Sequence, residues 1–306
     1  MITKANKHQI FFILFSLLLL VGCTTSQIIT SDLFLFGSFI NFENITTSKS
    51  IISLSVFLIA TIGVAHGAMD GKIIWQHSKK NSSRFKLYAL YTLLVILGGI
   101  FWLNSPVFGL ALLLILSCIH FGLSDLSFIW VGSLIPKICW GFTMTFLPVF
   151  FKPLLVNDLF NELTLTNIGS EIFILIRILT AFTIFIFVTY VIFKLFNSKD
   201  RDNNTSLKLI ILELLLLILL AYYLEPLLWF ALYFCGLHGL RAILNLNFKL
   251  VPDAFWMILF TAPITLLILL TDWNYSSSYL IAIFPVLASL TIAHMLLPKL
   301  KSLIKT

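Results

Sequence analysis

Charge is what this chain lacks most. Of its 306 residues only 11% are Asp, Glu, Lys or Arg, while 59% are hydrophobic; a soluble domain carries about a quarter charged residues. That deficit excludes an ordinary soluble globular protein. The alternating short strands of an outer-membrane barrel are missing as well. What remains is an all-α, polytopic transmembrane bundle of about 9–10 spans forming a single membrane domain. Cysteine is sparse: Cys23, Cys118, Cys139 and Cys235 are scattered without a CxxC pair, which argues against a zinc site or a disulfide framework. There is no glycine-rich phosphate loop, nucleophile elbow or Ser/His/Asp arrangement. Closely spaced histidine pairs of the membrane-desaturase kind (HxxxH, HxxHH) do not occur. A long basic tail is also missing, so the net charge of +7 does not point to nucleic acid.

The apolar runs divide the chain. Lys4 and Lys7 precede Ile10–Val21, a short first run that ends in Leu20-Val21-Gly22-Cys23. Residues 1–23 therefore read either as a first membrane helix or as a lipoprotein-type signal cleaved before Cys23. Residues 24–50 form an extracytoplasmic or interfacial segment; within it, Ile28–Phe42 is apolar but interrupted by Asp32. The membrane domain proper covers residues 51–306. Its predicted spans are Ile51–Met69, Leu87–Leu103, Pro106–Ser124, Ile138–Phe151, Ile172–Phe193, Leu209–Leu224, Pro226–Leu246, Ala254–Thr271 and Tyr279–Leu297. Lys137 sets the start of the fourth of these, and the polar run Asn197–Ser206 reads as a loop. With both termini cytoplasmic, all of the 20 Lys and Arg except Lys49, Lys152 and Arg177 fall on the inner side, a strong positive-inside pattern. That fits a multi-pass protein of the cell membrane, in contact with lipid.

Ionisable residues inside spans are functional candidates because hydrocarbon makes them costly. Four histidines qualify: His66 in VAHGAMD, His120 in CIHFGLSD, His238 in YFCGLHGLRA and His294 in TIAHM. Each comes ~12–15 residues after the start of a span running outside to inside, so their depths agree within about 5 Å. Four imidazoles at one level suit a metal or cofactor site. Asp70 follows His66 by one helical turn and Asp125 follows His120 closely; each could hold a ligating ring by its second nitrogen or simply mark a cytosolic helix end. Gly67, Gly122 and Gly239 beside the histidines allow close helix approach or leave room for a ligand. His8 and His77, among lysines, read as solvated. Glu213 and Arg177, near opposite membrane faces, read as residues that snorkel, with a functional role as the alternative. The 30 Phe read mainly as lipid-facing material.

HGAMD, HFGLSD, HGLRA and the late AHM together resemble the bacterial Brp/Blh family, membrane β-carotene 15,15′-dioxygenases found with retinal-binding rhodopsins. The resemblance runs from about Ile51 to the C-terminus. It implies an Fe(2+) centre held by histidines and cleavage of β-carotene by O2 at its central double bond, giving two retinal molecules. On that basis His66, His120 and His238 are metal ligands, and His294, Asp70, Asp125 and Arg241 are additional ligands or supporting residues. The sequence departs from the family's HSxRH motif at two places: Gly239 replaces its serine, and Ala242 replaces its second histidine, an iron ligand. Ala293 also stands where proline precedes the late histidine. Either His294 joins the ligands, water takes the position, or the activity is lost or changed. The alternatives are a non-catalytic or altered carotenoid- or retinal-binding membrane protein, a transporter, or a bis-histidine haem protein.

Overall fold

A computed structural model describes residues 4–34, 49–77, 79–127, 133–197, 201–246, 249–270 and 276–304. Within them the chain is helical: α1 (Lys4–Phe34), α2 (Lys49–Leu58), α3 (Val64–Ala68), α4 (Asp70–His77), α5 (Asn81–Asn104), α6 (Pro106–Asp125), α7 (Leu134–Phe151), α8 (Pro153–Thr164), α9 (Glu171–Asn197), α10 (Arg201–Tyr223), α11 (Pro226–Ala231), α12 (Leu240–Asn245), α13 (Leu250–Leu270) and α14 (Ser276–Leu303). Among the described residues eight helices are long and apolar enough to cross a membrane. Two shorter apolar stretches, Ile52–Gly63 and Val251–Ala262, fall on the remaining two predicted spans. The protein is thus an all-α, multi-pass bundle, the architecture that lets backbone groups pair within helices, as hydrocarbon demands.

Several boundaries differ from those read in the sequence. α7 begins at Leu134 and takes Lys137 into its first turn; a long aliphatic stem lets that lysine lie along the helix while its head reaches the surface. Residues 201–206, expected to be loop, already belong to α10. Of the segment 24–50, residues 24–34 continue α1, and 35–48 lie outside the described residues. The sequence reading missed α8 entirely. This short helix directs Val156, Leu159, Phe160 and Leu163 into the bundle and leaves Asp158 and Glu162 exposed. It ends at Leu165, whose φ of 54° is left-handed, and Asn161 Oδ1 accepts the amide of Ile168 just beyond.

Two spans are broken by π segments. Ile59–Gly63 joins α2 to α3, immediately before His66, and Leu232–Gly239 joins α11 to α12 and contains His238. π-bulges widen a helix locally and cluster at functional sites. The two segments pack on each other: Cys235 Sγ donates to the carbonyl of Leu58 at 3.2 Å, and a Cβ on Gly63 would overlap the ring of Phe234. Elsewhere glycine permits backbone-to-backbone contact. A Cβ on Gly122 of α6 would overlap the carbonyl of Lys137, and one on Gly141 of α7 would overlap that of Cys118. Small residues of this kind replace the hydrophobic drive that lipid removes from helix association.

This packing makes a prediction. Gly122→Ala should lower the stability of detergent-solubilised protein by ~1–3 kcal/mol, since the obstacle is backbone and cannot rotate away. Gly99→Ala, which meets only Ser289 Oγ at an ordinary 3.6 Å, should be neutral or stabilising. Equal thermal midpoints for the two variants would refute the close-packing account.

Candidate metal centre

Three of the four intramembrane histidines meet. The rings of His120 and His238 have centroids 4.9 Å apart, and those of His120 and His294 are 5.1 Å apart, both pairs edge to face. They come from α6, the second π segment and α14, so only the folded bundle brings them together. His66 is described in its backbone alone, within α3; its side chain lies outside the described residues. Its neighbours Val64 and Gly67 line the same cavity as His120 and His294.

Both aspartates reach histidines on other helices. Asp125 Oδ1 lies 2.7 Å from Nδ1 of His238. Asp70, likewise, is paired with His294, whose Nδ1 is 2.8 Å from Oδ2 and 2.9 Å from Oδ1. A carboxylate only accepts, so each ring donates through Nδ1, and a neutral ring then carries its lone pair on Nε2. Neither aspartate marks a solvated helix end, for Asp70 is 2% and Asp125 0% exposed. Each accepts from a tyrosine as well: Tyr91 reaches Asp70 Oδ2 at 2.9 Å, and Tyr233 reaches Asp125 Oδ2 at 2.6 Å. Trp140 Nε1 adds a third bond to Asp125 at 3.0 Å. Tyr91, Tyr233 and Trp140 carry no sequence signal, because their distance from the aspartates along the chain is arbitrary.

Behind the histidines lies a second buried network. Arg241 donates from one terminal nitrogen to the carbonyl of Asp125 at 3.3 Å and from the other to Glu213 Oε1 at 2.5 Å. Both partners are completely buried. Glu213 therefore does not snorkel to a membrane face. Gln9 of α1 approaches its other oxygen at 3.5 Å. His8, expected to be solvated, is 6% exposed, with Nε2 3.2 Å from the carbonyl of Gly236. A π segment carries backbone groups displaced from the regular ladder, and an incoming side chain can satisfy them.

In front of the histidines is a cavity holding about 1160 Å³ of atom-free space, its open mouth included. Leu110, Leu114, Phe160, Phe230, Phe284 and Leu287 form much of its wall. Two of its hydroxyls are turned back into their own helices, Thr145 to the carbonyl of Gly141 and Thr291 to that of Leu287, both at 2.8 Å, so they present methyl groups. Gly67 faces open space, with nothing within 4 Å of where a Cβ would sit. Phe121 and Phe234 pack on His238 at 4.7 and 5.6 Å, the second nearly parallel to it. The result is an apolar chamber with imidazoles at one end.

This donor set fits a transition metal. Two imidazoles bound to one ion at ~2.1 Å place their ring centres roughly 5 Å apart, the spacing seen for both pairs, and aspartate-held Nδ1 is the usual support for a ligating histidine. Among the described residues, no group of three His, Cys, Asp or Glu side chains is gathered closely enough to hold an ion as it stands. The arrangement is a set of spaced donors, with His66 beyond its described part. Ala242 lies in α12, just past the π segment that carries His238.

The Glu213–Arg241 pair makes a clear prediction. Glu213→Leu should cost ~3–5 kcal/mol, because it removes one partner of a buried ion pair and keeps the other charge. The double variant Glu213→Leu/Arg241→Met should recover part of that loss. Thermal unfolding in detergent decides it: a double variant no more stable than the single one would mean the pair is not coupled.

Comparison with known proteins gives a consistent result. The sequence model described as beta-carotene 15,15′-dioxygenase matches residues 57–300. A curated beta-carotene 15,15′-dioxygenase from uncultured marine bacterium 66A03 is 30% identical over 194 residues, covering 60% of this chain and 65% of that relative, slightly under two thirds of its length. No solved structure matches. A match across most of the chain, spanning every intramembrane histidine and both aspartates, makes the protein a member of the beta-carotene 15,15′-dioxygenase family.

Proposed function

We propose that this protein cleaves β-carotene at its 15,15′ double bond with O2, giving two retinal molecules, and that Fe(2+) held by His66, His120 and His238 is its cofactor. The observation that carries the reading is that His120 and His294 line an apolar cavity inside a membrane bundle, with His120 also in ring contact with His238 behind it. A C40 hydrocarbon offers no hydrogen bonds, so its site needs apolar walls and a lateral path from lipid. The reaction balances without a further reductant: both atoms of O2 end as the carbonyl oxygens of two C20 aldehydes. When bound, ferrous iron would supply the binding and activation of O2.

The chain's own residues do the rest. Asp125 fixes the ring of His238 and directs its Nε2 away from the carboxylate. Tyr233 and Trp140 hold Asp125 in turn, so the imidazole cannot rotate without breaking a buried network. The apolar wall orients the polyene and keeps water from the reacting carbons. Ring centres about 5 Å apart leave no space for a porphyrin plane between His120 and either neighbour, which favours non-haem iron over bis-histidine haem. Ala242 favours a second reading, pigment binding without cleavage, because a family ligand is replaced there. The bacterial source of the matched relative and the basic-residue distribution support a place in the bacterial cell membrane with both termini cytoplasmic, and a retinal-binding rhodopsin would consume its product.

Expression in β-carotene-producing cells tests this directly. Wild type should bleach the cells and accumulate retinal, while His120→Ala, expressed to the same level, should return retinal to background. Folded wild-type protein that leaves β-carotene intact would overturn the cleavage reading, and pigment copurifying with it would establish the binding alternative.

A further inference from the structure

We propose that His294 is a metal ligand, occupying the role that Ala242 cannot fill; this rests on the reading of the site as a metal centre. The geometry treats His294 and His238 as equivalents. Each ring lies edge-on to His120, at 5.1 and 4.9 Å. Each has Nδ1 committed to a buried aspartate. Each of those aspartates accepts a further bond from a buried tyrosine on another helix, Tyr91 or Tyr233. Tyr91–Asp70–His294 and Tyr233–Asp125–His238 are thus two matching relays that converge on His120.

A purely structural role would explain the bond between α4 and α14, since membrane helices are often tied by one such contact. It would not explain the placement. The side chain of His294 is 25% exposed, whereas Asp70 is 2% exposed, and the histidine lines the cavity together with His120. The ring is therefore anchored through Nδ1 to a buried carboxylate while the side chain forms part of the chamber wall. Supporting a carboxylate with a tyrosine, behind a histidine that faces an open chamber, is how proteins orient a ligating imidazole.

Cobalt(II) is a suitable probe, because each histidine bound through Nε2 contributes one exchangeable, hyperfine-shifted Nδ1–H proton signal. Detergent-solubilised full-length wild type loaded with Co(II) should show four such signals, two of them slow to exchange where Asp70 and Asp125 hold the proton. His294→Ala should lose one slow signal and bind Co(II) at least 10-fold more weakly in chelator competition. Four signals in wild type support the proposal even if the variant fails to fold. Three signals, with Co(II) binding that depends on His120 but not on His294, overturn it and leave the metal centre standing. No Co(II) binding by folded wild type overturns both.

Discussion

A carboxylate buried inside a membrane bundle persists only if the protein supplies everything that water would have given it. Asp125 is such a group, and much of the structure is arranged to meet its needs. It takes His238 and Tyr233 from one π segment, Trp140 from α7 and a place beside Arg241 of α12. Arg241 brings in its own obligation, met by Glu213 of α10, which in turn draws Gln9 of α1. One costly charge thereby connects five parts of the bundle. Removing any single partner leaves the others buried without compensation, which is why such networks hold a geometry more firmly than apolar packing alone.

The helices that carry these groups need unusual backbone to bring them together. Two π segments lie side by side, one ahead of His66 and one holding His238. Their extra residue per turn rotates the following side chains relative to a regular helix, and small or soft groups at their contact, Gly63 and Cys235, allow them to meet. Gly122 and Gly141 do the same for α6 and α7, which sets the height of His120 and Asp125 against Trp140. Polar chemistry at the centre of the bundle thus depends on the absence of side chains nearby.

The site has two faces with opposite demands. On the cavity side, leucine and phenylalanine form the wall and threonine hydroxyls fold back onto their own helices. On the far side, aspartate, tyrosine, tryptophan and arginine satisfy one another. His238 and His294 direct Nδ1 to the polar side. An apolar cavity and a cluster of buried polar groups coexist only with such a partition, because an unsatisfied polar group in the wall would hold water there.

Hydropathy alone determined the class of the protein, the approximate spans and the common level of the four histidines, since a helix of known rise crossing a layer of known thickness leaves little freedom in depth. Motif spacing was enough to bring His66, His120, His238 and His294 under suspicion. What periodicity along one helix does not encode is rotation about its axis and choice of neighbour. Asp70 and Asp125 were legible as partners of histidines through their spacing from His66 and His120; that they also reach His294 and His238 is decided by the fold. For the same reason His8 and Glu213 looked like solvated or snorkelling groups, although they face inward against a π segment and an arginine that lie more than 20 residues away in sequence. Depth belongs to a single helix and can be counted; pairing belongs to two helices and is decided only when their faces pack.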